Sequence, residues 1–216
     1  MKRLIMYDLD GTLVDTLQDI TEAANHLLDH FGLPRRSSME IRGFIGGGVE
    51  ELIRRCLGTD DPVRLEEGIA IYRAHYRQHL LDHSRLYPDA QRLLEYFKSR
   101  RQAVITNKPN PYSTDILRSL GVAEYFFAII GGNSGFAIKP DPESMMALMQ
   151  REQVSPPQTL FIGDSPVDVE AGRRAGTMTV TVTHGFSDEP ELRAASPDLI
   201  VRGFNELLAV AQQHQW

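Results

Sequence analysis

Five short apolar runs, Leu4 to Tyr7, Ala103 to Ile105, Phe127 to Ile130, Leu160 to Ile162 and Met178 to Val182, recur along the chain with helical stretches between them. An uninterrupted apolar run suits a strand buried on both faces, whereas a half-exposed strand alternates with polar residues. β-Branched residues occur in most of these runs. The pattern predicts an α/β fold with a Rossmann-like, three-layer core around a mostly parallel sheet.

The first interval breaks this rhythm. About ninety residues separate the first run from the second, far more than a strand-to-helix crossover requires, so an insertion is expected. Apolar positions Leu17, Ile20, Ala23, Ala24, Leu27 and Leu28 keep helical spacing. Further helices are expected over Val49 to Leu57 and Leu65 to Leu81. Residues 15–84 therefore read as a helical subdomain set into the loop after the first strand, with residues 1–14 and 85–216 forming the core. The turn at Tyr87-Pro88-Asp89 marks the return.

Composition narrows the partners. A chain of 216 residues with 42% hydrophobic content can bury a full core without disulfides, and its single cysteine, Cys56, cannot bridge internally. No apolar run is long enough to span a membrane, and Asp8 interrupts the run that follows Met1-Lys2-Arg3, so a cytoplasmic protein is expected. A net charge of −6 offers no general attraction for nucleic acid. A small substrate is the expectation.

Two acidic loops follow strands. The first is Asp8-Leu9-Asp10-Gly11-Thr12-Leu13-Val14-Asp15-Thr16, and the second is Gly163-Asp164-Ser165-Pro166-Val167-Asp168. Ligands of open α/β sheets collect beyond the carboxyl ends of the strands. Carboxylates crowded there repel unless a cation or proton relieves them, and Mg²⁺ fits a site of one or two carboxylates plus substrate phosphate. Asp168 also suits the first turn of a helix, where a negative charge complements the dipole. Two more strand ends add donors. Thr106-Asn107-Lys108 offers a hydroxyl and backbone amides for phosphoryl oxygens, although a turn threonine also serves structure. Lys139-Pro140 offers an ammonium that could face both phosphate and Asp8.

These four segments, in this order, resemble the motifs of the haloacid dehalogenase superfamily, and nearly the whole chain is similar to its phosphoglycolate phosphatase-type branch. The resemblance implies a hydrolase with Asp8 as nucleophile and Asp10 as general acid and base. It implies Mg²⁺ held by Asp8, Asp10 through its backbone carbonyl, and Asp164, with Asp168 supporting the metal shell. Thr106, Asn107 and Lys139 would bind the phosphoryl group, and residues 15–84 would be a helical cap closing over it. The acid at Asp10 excludes carbon–halogen cleavage and weakens a phosphonatase reading. The expected activity is hydrolysis of a small phosphorylated metabolite, phosphoglycolate first. A β-phosphoglucomutase-type phosphomutase, a pyrophosphatase, a nucleotidase and a non-catalytic regulatory binder are the alternatives. The chain would act as a monomer or homodimer.

The cap stretch Arg42-Gly43-Phe44-Ile45-Gly46-Gly47-Gly48 is unusual. Its glycines, Gly47 central among them, suit either a hinge and close approach to substrate or a plain loop. Arg42 could pair with a substrate carboxylate or simply face solvent. His75, His79 and His83, at four-residue spacing, raise the question of zinc, but a polar helix face explains them better. His184 reads as a loop residue.

Overall fold

The computed structural model describes all 216 residues. In chain order the elements are β1 (Leu4–Tyr7), β2 (Val14–Asp15), α1 (Leu17–His30), α2 (Ser38–Arg42), α3 (Gly48–Leu57) and α4 (Pro62–His79). They continue with β3 (Arg85–Leu86), α5 (Ala90–Tyr96), β4 (Arg101–Ile105), α6 (Tyr112–Ser119), β5 (Ala128–Ile130) and α7 (Glu143–Glu152). The last six are β6 (Thr159–Gly163), α8 (Pro166–Ala175), β7 (Met178–Val182), α9 (Glu189–Ala195), β8 (Leu199–Val201) and α10 (Phe204–Gln213).

Six strands form one parallel sheet in the order β5-β4-β1-β6-β7-β8. Strand β1 is buried along its whole length and sends Ile5 and Tyr7 to one face and Leu4 and Met6 to the other. On the first face they join Val104, Leu160, Ile162 and residues of α5, α6 and α10. On the second they meet Ala103, Ile105, Phe161, Met145 and Leu148 of α7, and Ala171 of α8. This is the expected three-layer α/β core. Each large apolar side chain so buried stabilises the fold by about 1.5–3 kcal/mol.

Register fixes where the chemistry sits. Tyr7 pairs with Val104 on one side and Ile162 on the other. One residue further, Asp8 stands level with Ile105 and Gly163, so the loops beginning at Asp8, Thr106 and Asp164 open side by side at the carboxyl ends of three neighbouring strands.

Helices α1 to α4 occupy the long interval between β1 and β4. Helix α1 buries Ile20, Ala23, Ala24, Leu27 and Leu28, and α3 buries Leu52, Ile53 and Cys56. Gly68 lets α4 approach: a Cβ there would come within 3.0 Å of Ile53 and Leu57 side-chain atoms. Where the chain leaves and re-enters the sheet, β2 and β3 form a two-residue antiparallel ribbon, Val14 opposite Leu86 and Asp15 opposite Arg85. No helix is long and apolar enough to cross a membrane.

Several boundaries differ from expectation. Helix α4 starts at Pro62 because Asp61 caps it, its carboxylate accepting from the Val63 N–H at 3.1 Å, and it ends at His79. His83 therefore lies off the helix. The ring that completes a stack with His75 and His79 is His26 of α1, with centroids 4.2 Å and 4.4 Å apart. Strand β5 begins at Ala128, leaving Phe127 outside.

Candidate functional site

Asp8 follows β1, and its backbone N–H donates to the Ile162 carbonyl at 2.9 Å. The chain then turns sharply, with the N–H groups of Thr12, Leu13 and Val14 all donating to the Leu9 carbonyl. Gly11 sits in that turn at φ 80°, and a Cβ there would lie 2.3 Å from an Asp164 carboxylate oxygen. Glycine is required twice over, for the left-handed backbone and for the contact between the two acidic loops.

Asp164 follows β6, is buried, and has both oxygens held. Thr12 Oγ1 donates to Oδ1 at 2.7 Å, and the Phe186 N–H donates to Oδ2 at 2.7 Å. Asp168 lies in the first turn of α8, where it forms a capping box with Ser165. Its Oδ2 accepts from the Ser165 hydroxyl at 2.6 Å and from the backbone N–H groups of Ser165 and Asp164. Its Oδ1 accepts from Lys139 Nζ at 2.7 Å. Asp168 thus serves the helix terminus and the site together.

Lys139 is buried between two carboxylates, 2.7 Å from Asp8 Oδ1 and 2.7 Å from Asp168 Oδ1. Burial works against the ammonium, yet Asp168 and Asp8 together hold its pKa above the ordinary lysine value. For Asp8 the balance runs the other way. Burial dominates, Lys139 opposes it, and Asp168 and Asp10 add repulsion, so the Asp8 pKa rises to about 7. Asp164 is pushed well above the usual carboxylate range by burial and then by Asp168 and Asp8, against the Phe186 and Thr12 hydrogen bonds.

Oxygens of Asp8, Asp164 and Asp168 lie within 4.8 Å of one another, the only such group of three in the chain. Three clustered carboxylates, two with raised pKa values and a single ammonium set between Asp8 and Asp168, fit a hard divalent cation.

Asp10 is elsewhere. Its carboxylate accepts from Thr16 Oγ1 at 2.7 Å and from Lys108 Nζ at 2.9 Å and 3.0 Å. The buried Lys108 ammonium also lies over the Tyr76 ring of α4. In the sequence Lys108 was visible only as the residue after Thr106-Asn107, without a role. Thr106 Oγ1 accepts from the Lys108 N–H at 3.1 Å, which leaves its own proton to donate. The Asn107 side chain stitches three loops: its amide group donates to the Gly46 and Lys139 carbonyls, and its oxygen accepts from the Lys139 N–H. With its donors so engaged, Asn107 organises the loop after β4 through its side chain.

A cavity of about 360 Å³ opens onto Asp8, Asp10, Thr106, Lys139 and Asp164, and is walled on the far side by residues 42–49, Leu52, Tyr72 and Tyr76. The glycine run lies here. Gly46 and Gly48 take φ values of 118° and 84°, whereas Gly47 does not need the left-handed region but is pressed against Glu51, which a Cβ would approach to 2.9 Å. Arg42 is half-buried, with its guanidinium on the core loop: Nε donates to the Phe186 carbonyl at 2.5 Å and Nη2 to the Gly185 carbonyl at 3.2 Å and Asp188 at 3.1 Å. His184 holds the first acidic loop through a 3.0 Å contact with the Thr12 carbonyl and stacks on Tyr87.

The sequence profile of the haloacid dehalogenase-like hydrolases matches residues 5–182, which span all four loops of the site. The chain belongs to that family. Among hydrolases of this kind it is similar to phosphoglycolate phosphatases from Pseudomonas putida (34% identity over 96% of this chain and 79% of that one) and Haemophilus influenzae (34%, over 96% and 97%). A crystal structure of a predicted phosphoglycolate phosphatase from Haemophilus somnus superposes with a TM-score of 0.91 at 32% identity, covering 97% of this chain and 98% of the other. A haloacid dehalogenase-like family protein from Streptococcus pneumoniae gives 0.87 at 29%, covering 97% and 98%. Family membership accords with the order of motifs read from the sequence.

Proposed function

We propose that this hydrolase is a phosphatase acting on a small phosphate monoester, with phosphoglycolate the first substrate to test and Asp8 the nucleophile. One observation carries the reading: Asp8 lines the cavity, with Lys139 2.7 Å from its Oδ1 and the Asp164 and Asp168 carboxylates clustered beside it. A carboxylate nucleophile approaching an anionic phosphoryl group needs cations around it. The homologous phosphatases support the choice of ester.

In this reading Asp8, Asp164 and the Asp10 backbone carbonyl hold Mg²⁺, with Asp168 behind them, and the cation when bound neutralises phosphoryl charge and the carboxylate cluster. Asp8 attacks phosphorus and the ester oxygen leaves, forming an aspartyl phosphate. Lys139 holds Asp8 in place and offsets its charge. The Thr106 hydroxyl donates to a phosphoryl oxygen. Asp10 protonates the leaving oxygen and then takes a proton from the water that hydrolyses the aspartyl phosphate. For this the Asp10 carboxylate must exchange its present contacts with Thr16 and Lys108 for substrate. Residues 15–84 act as the cap that walls the cavity and excludes bulk water.

Phosphate release from a panel of phosphoglycolate, nucleotides, pyrophosphate and sugar phosphates, with Mg²⁺ or chelator, tests the proposal. Metal-dependent release, highest for phosphoglycolate, is expected. Absence of release from every ester would overturn it.

A further inference from the structure

The Arg42 guanidinium contacts the core through one peptide group with unusual connections. The Gly185 carbonyl that accepts from Arg42 Nη2 and the Phe186 N–H that donates to Asp164 Oδ2 belong to the same peptide plane. An uninterrupted line of hydrogen bonds therefore runs from α2 to a carboxylate of the cation-binding cluster. Arg42 Nε adds a bond to the next carbonyl, that of Phe186, so the planar fork fixes two successive peptides at once.

The Gly185–Phe186 segment has little room to move. A Cβ on Gly185 would lie 2.3 Å from Asp164 Cβ and 2.4 Å from the Gly11 carbonyl, and the Phe186 ring packs against Gly11. Just before it, the Thr183 N–H donates to the Val201 carbonyl and His184 holds Thr12. From the helical segment, Arg42 supplies the hydrogen bonds that this peptide pair accepts.

We propose that Arg42 is a positioning residue for Asp164: by clamping the Gly185–Phe186 peptide it aims the carboxylate at the cation site, so that cap closure and divalent-cation binding reinforce each other. The proposal rests on the metal reading given above. A hydrogen bond accepted by a carbonyl polarises its peptide and strengthens the bond donated by the N–H of that peptide. Each Asp164 oxygen retains a lone pair beyond the one used by Thr12 or Phe186. Holding the carboxylate still in that orientation lowers the cost of binding a cation. Linkage makes the effect reciprocal: whatever closure adds to cation affinity, the cation adds to closure.

Groups that orient metal ligands commonly contribute about 10–100-fold to affinity, and Arg42 acts one peptide further out, so about a threefold to tenfold effect is expected. The test is Mn²⁺ binding to the substrate-free protein, followed by the electron paramagnetic resonance of free Mn²⁺, for wild type, Arg42→Ala, Arg42→Lys and Asp164→Asn. Hydrogen exchange at the Phe186 amide is measured in parallel. Arg42→Ala should bind Mn²⁺ more weakly by that factor, with Arg42→Lys between it and wild type. Mn²⁺ should slow exchange at Phe186 more in wild type than in Arg42→Ala. A purely structural latch would alter substrate KM and leave substrate-free Mn²⁺ affinity unchanged. Equal affinity in wild type and Arg42→Ala, with binding lost in Asp164→Asn, would overturn this proposal alone. Failure of wild type to bind Mn²⁺ would overturn the metal reading and this proposal with it.

Discussion

The Lys108 ammonium grips both carboxylate oxygens of Asp10, at 2.9 Å and 3.0 Å, in a nearly buried ion pair. It joins the loop after β4 to the loop after β1, with the Tyr76 ring of α4 on its other side. Removing one member leaves the other charged and poorly solvated. Lys108→Met should therefore lower the unfolding free energy by about 3 kcal/mol, and Asp10→Asn in the same chain should recover part of that loss. Urea denaturation of the two single variants and the double variant measures the coupling. Additive losses would mean that the pair contributes nothing as a unit.

Asp10→Asn should also lower kcat by about 10²–10⁴-fold with a smaller change in KM, because the side chain is asked to move protons in the transition state. Steady-state kinetics on phosphoglycolate gives the answer. A variant that raised KM at constant kcat would point to a binding role instead.

Gly11→Ala forces a side chain into a left-handed turn and places its Cβ 2.3 Å from Asp164 Oδ2. The backbone cost alone is about 1–2 kcal/mol. The collision should displace the carboxylate, so activity should fall far more than the melting temperature indicates. Calorimetry and kinetics on one preparation separate the two effects.

The Asp8 pKa of about 7 has a definite consequence for the metal-free protein. The folded-state value is raised above the unfolded one, so stability is fully present below the ordinary value of 3.8 and is lost as pH rises through about 7. Mg²⁺ requires the ionised carboxylate, so its apparent affinity should fall as pH drops below about 7, and its stabilising effect should be greatest above that pH. Thermal melts with and without Mg²⁺ across this range check both signs.

His75 carries a pKa below 6.5, first through partial burial and then through its neighbours His26 and His79. A lowered folded-state value means that the unfolded chain takes up the proton first, and stability is lost as pH falls below about 6.5. His75→Gln should flatten that acid limb, whereas an unchanged pH dependence would remove the stack as its cause.

Much of the architecture was legible because β1, β4 and β6 are buried on both faces and carry apolar runs, while β7, Met178-Thr179-Val180-Thr181-Val182, alternates Thr with Val and is β-branched throughout its interior. Strand β8 escaped notice, since three residues hold too little pattern, and the ribbon of β2 and β3 is shorter still. Helix α2 carries a sequence signal in the capping box of Ser37 and Glu40, but at five residues it is too short to show a helical apolar period. At the site, Asp8 and Asp164 stand directly after β1 and β6, Asp168 in the first turn of α8 and Lys139 in the long loop between β5 and α7, and the structure brings the four together. The Asp10 side chain stands apart from that cluster. Its partner Lys108 is 98 residues away, and Arg42 and Phe186 are 144 residues apart. Such contacts depend on how the helical segment sits on the sheet, which local spacing does not encode. The same limit explains Arg42, which the sequence left between a substrate carboxylate and solvent and the structure seats on the Gly185 and Phe186 carbonyls and Asp188.

The central claim is that Asp8 becomes phosphorylated. Rapid acid quench during phosphoglycolate turnover with Mg²⁺, followed by peptide mass spectrometry, tests it most directly. A phosphoryl group on the peptide containing Asp8, absent from Asp8→Asn along with steady-state phosphate release, is the expected result. Undiminished phosphate release by a folded Asp8→Asn variant would contradict the account.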